Sequence, residues 1–365
     1  MQFDFFPSVT LTKYLMRLFS IRIVGILFML ILVLQMLDLL GESGKILAHT
    51  GNGQAQLLTY VSMRTPQLIS RFLPYSVLLA TLFTFWPLNQ NSEIIAMRAA
   101  GLSAHQILAP MLLTAAAVAG VSFGFNEIFV SGASARLKSW QAVSYGELPH
   151  GKKQLSNVYI ADGANVLTAE QVMGEGSAMR LHSVTYYLRN NSGAIVARIT
   201  SPDAAYVQKG WQLDAPNQFD VATTQSKKLP SMIVGQNITP KQITMSSVDP
   251  DGQNIFELSN SINLLRESGR RTMELDGRWW HKFSGPLSAI LMPLLGAVAA
   301  FGLARSGQLF IRAIIGMALG FTYFVVDNAA LAMGGFGGYP PLIAAWAPFL
   351  LFLCVGETVL IRTEE

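Results

Sequence analysis

A single cysteine, Cys354, occurs among the 365 residues. One thiol excludes an intrachain disulfide framework and a cysteine zinc site, and its place in an apolar run reads as a buried bystander. Charge is scarce too: Asp, Glu, Lys and Arg make up 13% of the chain, about half the ~25% of a soluble domain. The net charge of +4 is spread without the dense basic runs of a nucleic-acid binder. No HExxH and no serine elbow occurs, and His150 and His182 have no partner at metal-ligand spacing. The stretch GELPHGKK, 146–153, fits the first seven positions of a phosphate-binding loop, but Lys153 stands where Mg²⁺ binding requires Ser or Thr. It reads as a glycine-containing surface loop, and no cofactor is called for.

What the chain has instead is apolar length. Hydrophobic residues make up 51%, mean hydropathy is +0.38, and a spanning helix needs about 20 mostly apolar residues. Six segments qualify, roughly 19–40, 65–88, 106–130, 283–304, 310–332 and 341–361. They predict a membrane α-helical fold with six transmembrane helices, divided as 1–131 and 277–365 around a polar domain over 132–276. The first run ends in Gln35-Met36-Leu37-Asp38, with no small-x-small cleavage site, and so reads as a span rather than a signal peptide. Lys13, Arg17 and Arg22 precede span 1, Arg98 lies in the 89–106 loop, Arg305 and Arg312 between spans 4 and 5, and Arg362 near the end. The positive-inside rule then puts both termini in the cytoplasm and the central domain across the membrane.

Residues 155–235 alternate apolar and polar in pairs of runs. NVYIADGANVLTAEQV turns at Asp162-Gly163, MRLHSVTYYLRNNSGAIVARIT at Asn190 to Gly193, and AAYVQKGWQLD at Lys209-Gly210. Asp, Asn and Gly supply the positive φ of hairpin turns, so an all-β sandwich or jelly roll is predicted. ELSNSINLLRESGRR, 257–271, places Leu258, Ile262 and Leu265 on one helical face, with Gly269 as a C-cap.

Within the spans, Gly120-xxx-Gly124 and Gly316-xxx-Gly320 permit close helix approach, within the chain or toward a partner. Asp38, near the outer edge, reads as solvated; Asp327, in YFVVDNAAL, reads as paired or as part of a transport route. Arg64, Arg71, Arg136, Lys138, Arg278 and Lys282 cluster by sequence at the outer edge, with Trp140, Trp279 and Trp280 as an interfacial belt. They read either as snorkelling anchors or as a ring of cations for an anionic lipid head group.

Between spans 2 and 3 lies NQNSEIIAMRAAGLSAHQILAP, 89–110. Asn91 or Ser92 can cap a helix with Glu93 in its first turn, Ile94, Ile95 and Met97 form its apolar side, and Gly101 stops it. Ser103-Ala104-His105-Gln106 is then a capping box that opens span 3. The short helix over 90–102 either lies on the membrane surface or docks on a cytoplasmic partner, with Ile94 and Met97 as anchors and Glu93 pairing a basic residue.

The residues LPYSVLLATLFTFWPLNQNSEIIAMRAAGLS (73–103), ITPKQITMSSVDPDGQNIFELSNSINLLRESG (238–269), FSGPLSAILMPLLGAVAAFGLARSG (283–307) and GFTYFVVDNAALAMGGFGGYPPLIAAWAP (320–348) resemble, in this order, the LptF/LptG lipopolysaccharide-export permeases. VDPD, RSG and VVDN with the following GYPP loop favour the LptG branch. The resemblance implies a non-catalytic subunit that pairs with an LptF-like permease, sits on an LptB ATPase dimer and works with LptC. It implies a periplasmic β-jellyroll that passes lipopolysaccharide to an LptA bridge. The 90–102 helix would be the coupling helix to the ATPase, through Glu93, Ile94, Met97 and Arg98. Family members often carry lysines at the outer end of span 1, where this chain has Gln35, Gly41 and Glu42 with Lys45 further on; that departure shifts head-group contact to the cations of spans 2–4. The competing expectations are another mechanotransmission or lipid permease, or a membrane enzyme acting on lipid-linked sugars.

Overall fold

The computed structural model describes residues 6–146, 155–174, 176–190, 193–207, 210–240, 242–243, 248–267, 270–301 and 309–362. His150, Lys153 and the rest of the 147–153 loop, the turn residues Asn191, Ser192 and Lys209, the cap Gly269 and Arg305 lie outside them. The chain divides into two compact units, 1–43 with 57–134 and 250–365, and 44–56 with 135–249.

The first unit is helical. Its elements are α1 (Val9–Ala48), α2 (Gln54–Gln90), α3 (Glu93–Ala99), α4 (Ala104–Phe125), α5 (Ser131–Ala142), α6 (Ile255–Glu267), α7 (Met273–Phe301), α8 (Leu309–Gly335) and α9 (Pro341–Arg362), where α1, α2 and α5 run on into the second unit. Among the described residues, five stretches are long and apolar enough to cross a membrane: α1, α2, Ala104–Gln141, Ile314–Gly335 and α9. The sixth apolar run, from Phe283 onward, lies in α7. One core joins Leu15, Phe19, Val77, Ile107, Leu291, Leu294 and Tyr323.

Glycine sets the closest helix approaches. A Cβ at Gly296 would come within 2.6 Å of Thr81, and one at Gly320 within 2.3 Å of Leu78, so α7 and α8 each meet α2 where a side chain is missing. Gly120 and Gly124 face open space instead. Of the two small-residue spacings, the structure uses Gly320 for packing within the chain. Cys354, expected to be buried, is exposed on α9: an apolar run marks a spanning helix, not which side of it meets neighbouring helices.

In the second unit, β1 (Leu155–Asp162), β2 (Asn165–Met173), β3 (Arg180–Arg189) and β4 (Ile195–Val207) form an antiparallel meander. β5 (Gly210–Asp214), β6 (Asn217–Asp220), β7 (Gln225–Lys228) and β8 (Ser231–Val234) complete the sheet, in which every pairing is antiparallel. The first turn uses Gly163-Ala164, one residue beyond the expected Asp162-Gly163, because Asp162 still pairs Asn165; Gly163 takes φ +63°, the positive φ a two-residue hairpin turn needs. The helix around Leu258, Ile262 and Leu265 forms as expected, with all three buried.

A crease crosses the sheet. The ladder skips Asn157/Glu170, Glu170/Ser183 and Ser183/Pro202, one continuous line over four strands. Along it the inward face changes phase: Ala169 and Val172, Leu181 and Val184, and Ser201 and Ala204 are buried at a spacing of three rather than two. Pro202 has no N–H to give the ladder, and Ser183 opposite it takes φ +53°. At this point β4 exchanges its neighbour, pairing β6 up to Thr200 and β5 from Asp203. The Ser201 hydroxyl bridges the change, with its oxygen 2.7 and 2.6 Å from the carbonyls of Asp203 and Asp214 and its one proton available to either. Below it, Leu167, Leu181, Ile199, Trp211 and Leu213 form the core.

Candidate functional site

The helix between α2 and α4 is shorter than the expected 90–102. α2 runs on to Gln90, and Ser92 enters the left-handed region at φ 56° without a side-chain cap, so α3 begins at Glu93. Its end follows the glycine rule: Gly101, at φ +89°, gives its N–H to Arg98, and Leu102 reaches back to Met97. The capping box opening α4 is complete, with Gln106 N–H on Ser103 Oγ at 3.1 Å and Ser103 N–H on Gln106 Oε1 at 3.0 Å. These two caps hold α3 between the long helices.

The faces of α3 divide differently from expectation. Ile94 is buried in the chain's own core and Met97 packs against that core, so both seat the helix rather than stand out as anchors. Ile95 and Arg98 face outward, with the Arg98 guanidinium 5.9 Å from the Phe301 ring centre. Glu93 is half-buried and accepts a hydrogen bond from the Tyr14 hydroxyl at 3.4 Å. His105 Nε2 meets Glu357 at 3.3 Å, joining the start of α4 to the end of α9.

The six cations expected at the outer edge fall into two sets. Arg64 grips Asp38 with Nε and Nη2, both at 3.0 Å, while the Tyr60 hydroxyl donates to the same carboxylate. Asp38, expected to be solvated, is therefore neutralised by a residue 26 positions away. Lys138 meets Asp249 at 2.6 Å in the second unit. Lys282 meets Glu127 at 2.8 Å, with 9% and 14% of the two side chains exposed. Arg71, Arg136 and Arg278 are exposed and make no ion pair among the described residues. Trp140, expected in an interfacial belt, is 1% exposed and donates to the Gly146 carbonyl at 2.9 Å, with its ring edge-on to Tyr145.

Three organising residues escaped the sequence reading. Glu127 lies in a π-helical turn, Asn126–Val130, and its second oxygen takes the N–H of Ile255 at the start of α6. A carboxylate inside the apolar run FGFNEIFV was the available signal. Asn52 bridges the carbonyls of Ile46 and Tyr145 at 2.8 and 2.7 Å. His281 pairs Asp327 at 2.9 Å. No cluster of His, Cys, Asp or Glu able to hold a metal occurs among the described residues.

Apolar helices of spanning length, a two-turn capped helix between α2 and α4, and an antiparallel β domain between α5 and α6 define a multi-pass membrane protein with an inserted β domain. The sequence profile described as lipopolysaccharide export system permease LptF/LptG matches residues 13–362, and the chain belongs to this family. It is 24% identical to the lipopolysaccharide export system permease protein LptG of Escherichia coli K12, over 98% of this chain and 99% of that protein. To the protein of the same name from Haemophilus influenzae it is 23% identical, over 85% of this chain and 87% of that one.

Proposed function

We propose that the chain is the LptG-like permease subunit of an ATP-driven exporter that extracts lipopolysaccharide from the outer leaflet of the bacterial inner membrane. Family membership over residues 13–362 carries this reading. Both termini and α3 lie in the cytoplasm, and the β domain lies in the periplasm. The partners are an LptF-like permease, an LptB ATPase dimer, LptC and a periplasmic LptA bridge. The creased antiparallel sheet supports a jelly-roll form for the domain that hands over the lipid.

α3 is the coupling helix. Ile94 and Met97 fasten it to the spans, so a push on its outer face moves α2 and α4 rather than bending a loop. Glu93 and Arg98, with the exposed Ile95 between them, are the groups that meet the ATPase. Of the outer-edge cations, Arg71, Arg136 and Arg278 are the ones without a counter-ion among the described residues, and they engage the phosphates of the head group. Arg64, Lys138 and Lys282 act through the ion pairs that shape their surroundings.

Reconstitution with an LptF-like permease, the ATPase and LptC in proteoliposomes loaded with lipopolysaccharide tests the reading. ATP-dependent transfer to a soluble periplasmic acceptor is the expected outcome, and transfer that is equal without ATP would refute it.

A further inference from the structure

Asp327 sits in α8 with 8% of its side chain exposed, in a helix apolar enough to cross a membrane. A charge there is tolerated only with a partner. Oδ2 has one, His281 Nε2 of α7 at 2.9 Å, but Oδ1 is buried with none among the described residues. The surroundings are polar on one side. Ser284, one turn along α7 from His281, is fully buried with a hydroxyl that has no partner among the described residues, and Tyr323, one turn before Asp327, is 1% exposed. The imidazole keeps 27% of its surface exposed while the carboxylate stays inside.

No other described cation neutralises Asp327. Next to His281 on α7, Lys282 is taken by Glu127 from the extension of α4, and Arg278 is exposed. From α2 come Tyr75, stacked on Phe324 at 3.9 Å, and, one turn earlier, the exposed Arg71. α9 presents Phe352 to Tyr323, and its Glu357 is engaged with His105. On α6, Arg266 is paired with Asp276.

With a neutral imidazole that donates from Nε2, the pair carries one net negative charge. One proton added to the pair, as imidazolium–carboxylate or as neutral imidazole and carboxylic acid, brings its net charge to zero and leaves no uncompensated charge between the helices. We infer that His281 and Asp327 form a proton-binding site between α7 and α8, loaded through the exposed part of the imidazole. Loss of the proton leaves the carboxylate uncompensated and loosens α7 from α8; gain of it closes them. The consequence for export rests on the permease function proposed above, whereas the proton site does not.

Full-length protein labelled with ¹⁵N-histidine, in lipid nanodiscs, gives the test between about pH 5.5 and about pH 8.5, the range in which imidazoles titrate. The His281 signal is assigned by its disappearance in H281Q, and the other histidines report on folding. The wild-type signal should pass between its two protonation states within this range, and D327N should change the pH at which it does so. A wild-type signal that stays in one state throughout, or a midpoint unmoved in folded D327N, overturns the inference. In reconstituted vesicles H281Q should flatten the pH profile of lipopolysaccharide transfer, and an unchanged profile would remove its link to export. Absence of transfer by the wild type counts against the permease reading alone, since the histidine titration still decides the site.

Discussion

Tyr186 shows how one side chain ties the β domain together. Its hydroxyl donates to Asp162 Oδ2 at 2.8 Å and receives the Asn165 amide at 3.2 Å, while Asn237 holds the other oxygen of Asp162 at 3.1 Å. Burial, and then the Asp162 carboxylate that accepts its proton, push the phenol from 10.0 up to about 12. A folded-state value above the unfolded one means that the neutral phenol stabilises the fold. That contribution is fully present below pH 10 and is lost as pH rises toward 12. Y186F should therefore be less stable than wild type near neutrality by about 1.5–3 kcal/mol, the range for a hydrogen bond to a charged group. The gap should close through the alkaline window, as followed by tryptophan fluorescence during urea unfolding. An equal gap at both pH values would remove the phenol from the account.

At the scale of elements, the local signals were legible. The capping box at Ser103 and Gln106, the stop at Gly101 and the apolar face of α6 each appear where the residues put them, because each depends on groups within four positions of one another. S103A should lose about 1 kcal/mol at the start of α4, as for other N-cap losses, and amide exchange at residues 104–107 should rise while the centre of α4 stays protected. S103D should restore the protection; if S103A leaves exchange unchanged, the cap does not hold α4. The inward turn of Ile94 was not legible. An apolar residue on a short amphipathic helix meets either its own core or a partner, and only the position of α1 and α2 decides between them. The crease at Pro202 was also hidden, since a proline in a strand marks a break in one ladder but not its continuation across four.

For the whole molecule, the sorting of cations matters most. R71Q, R136Q and R278Q combined should lower copurifying lipopolysaccharide several-fold without loss of the folded protein, as measured by lipid A mass spectrometry. K282Q should behave differently: it strips the buried partner from Glu127, and removing one member of a buried pair typically costs about 3–5 kcal/mol. A triple variant that retains its full complement of lipid would assign the three arginines to anchoring at the membrane surface.

By itself the sequence determined the apolar helices, the strand-rich insert, the helix boundaries set by capping residues, and the family. Those follow from runs, periods and caps, which act over a turn of helix or a hairpin. The tertiary structure alone decided which charges are spent. Arg64 on Asp38, Lys282 on Glu127 and His281 on Asp327 join residues 26, 155 and 46 positions apart. A charge in an apolar surrounding is settled by whichever opposite charge the packing of helices brings within reach, and no local pattern in the chain records that.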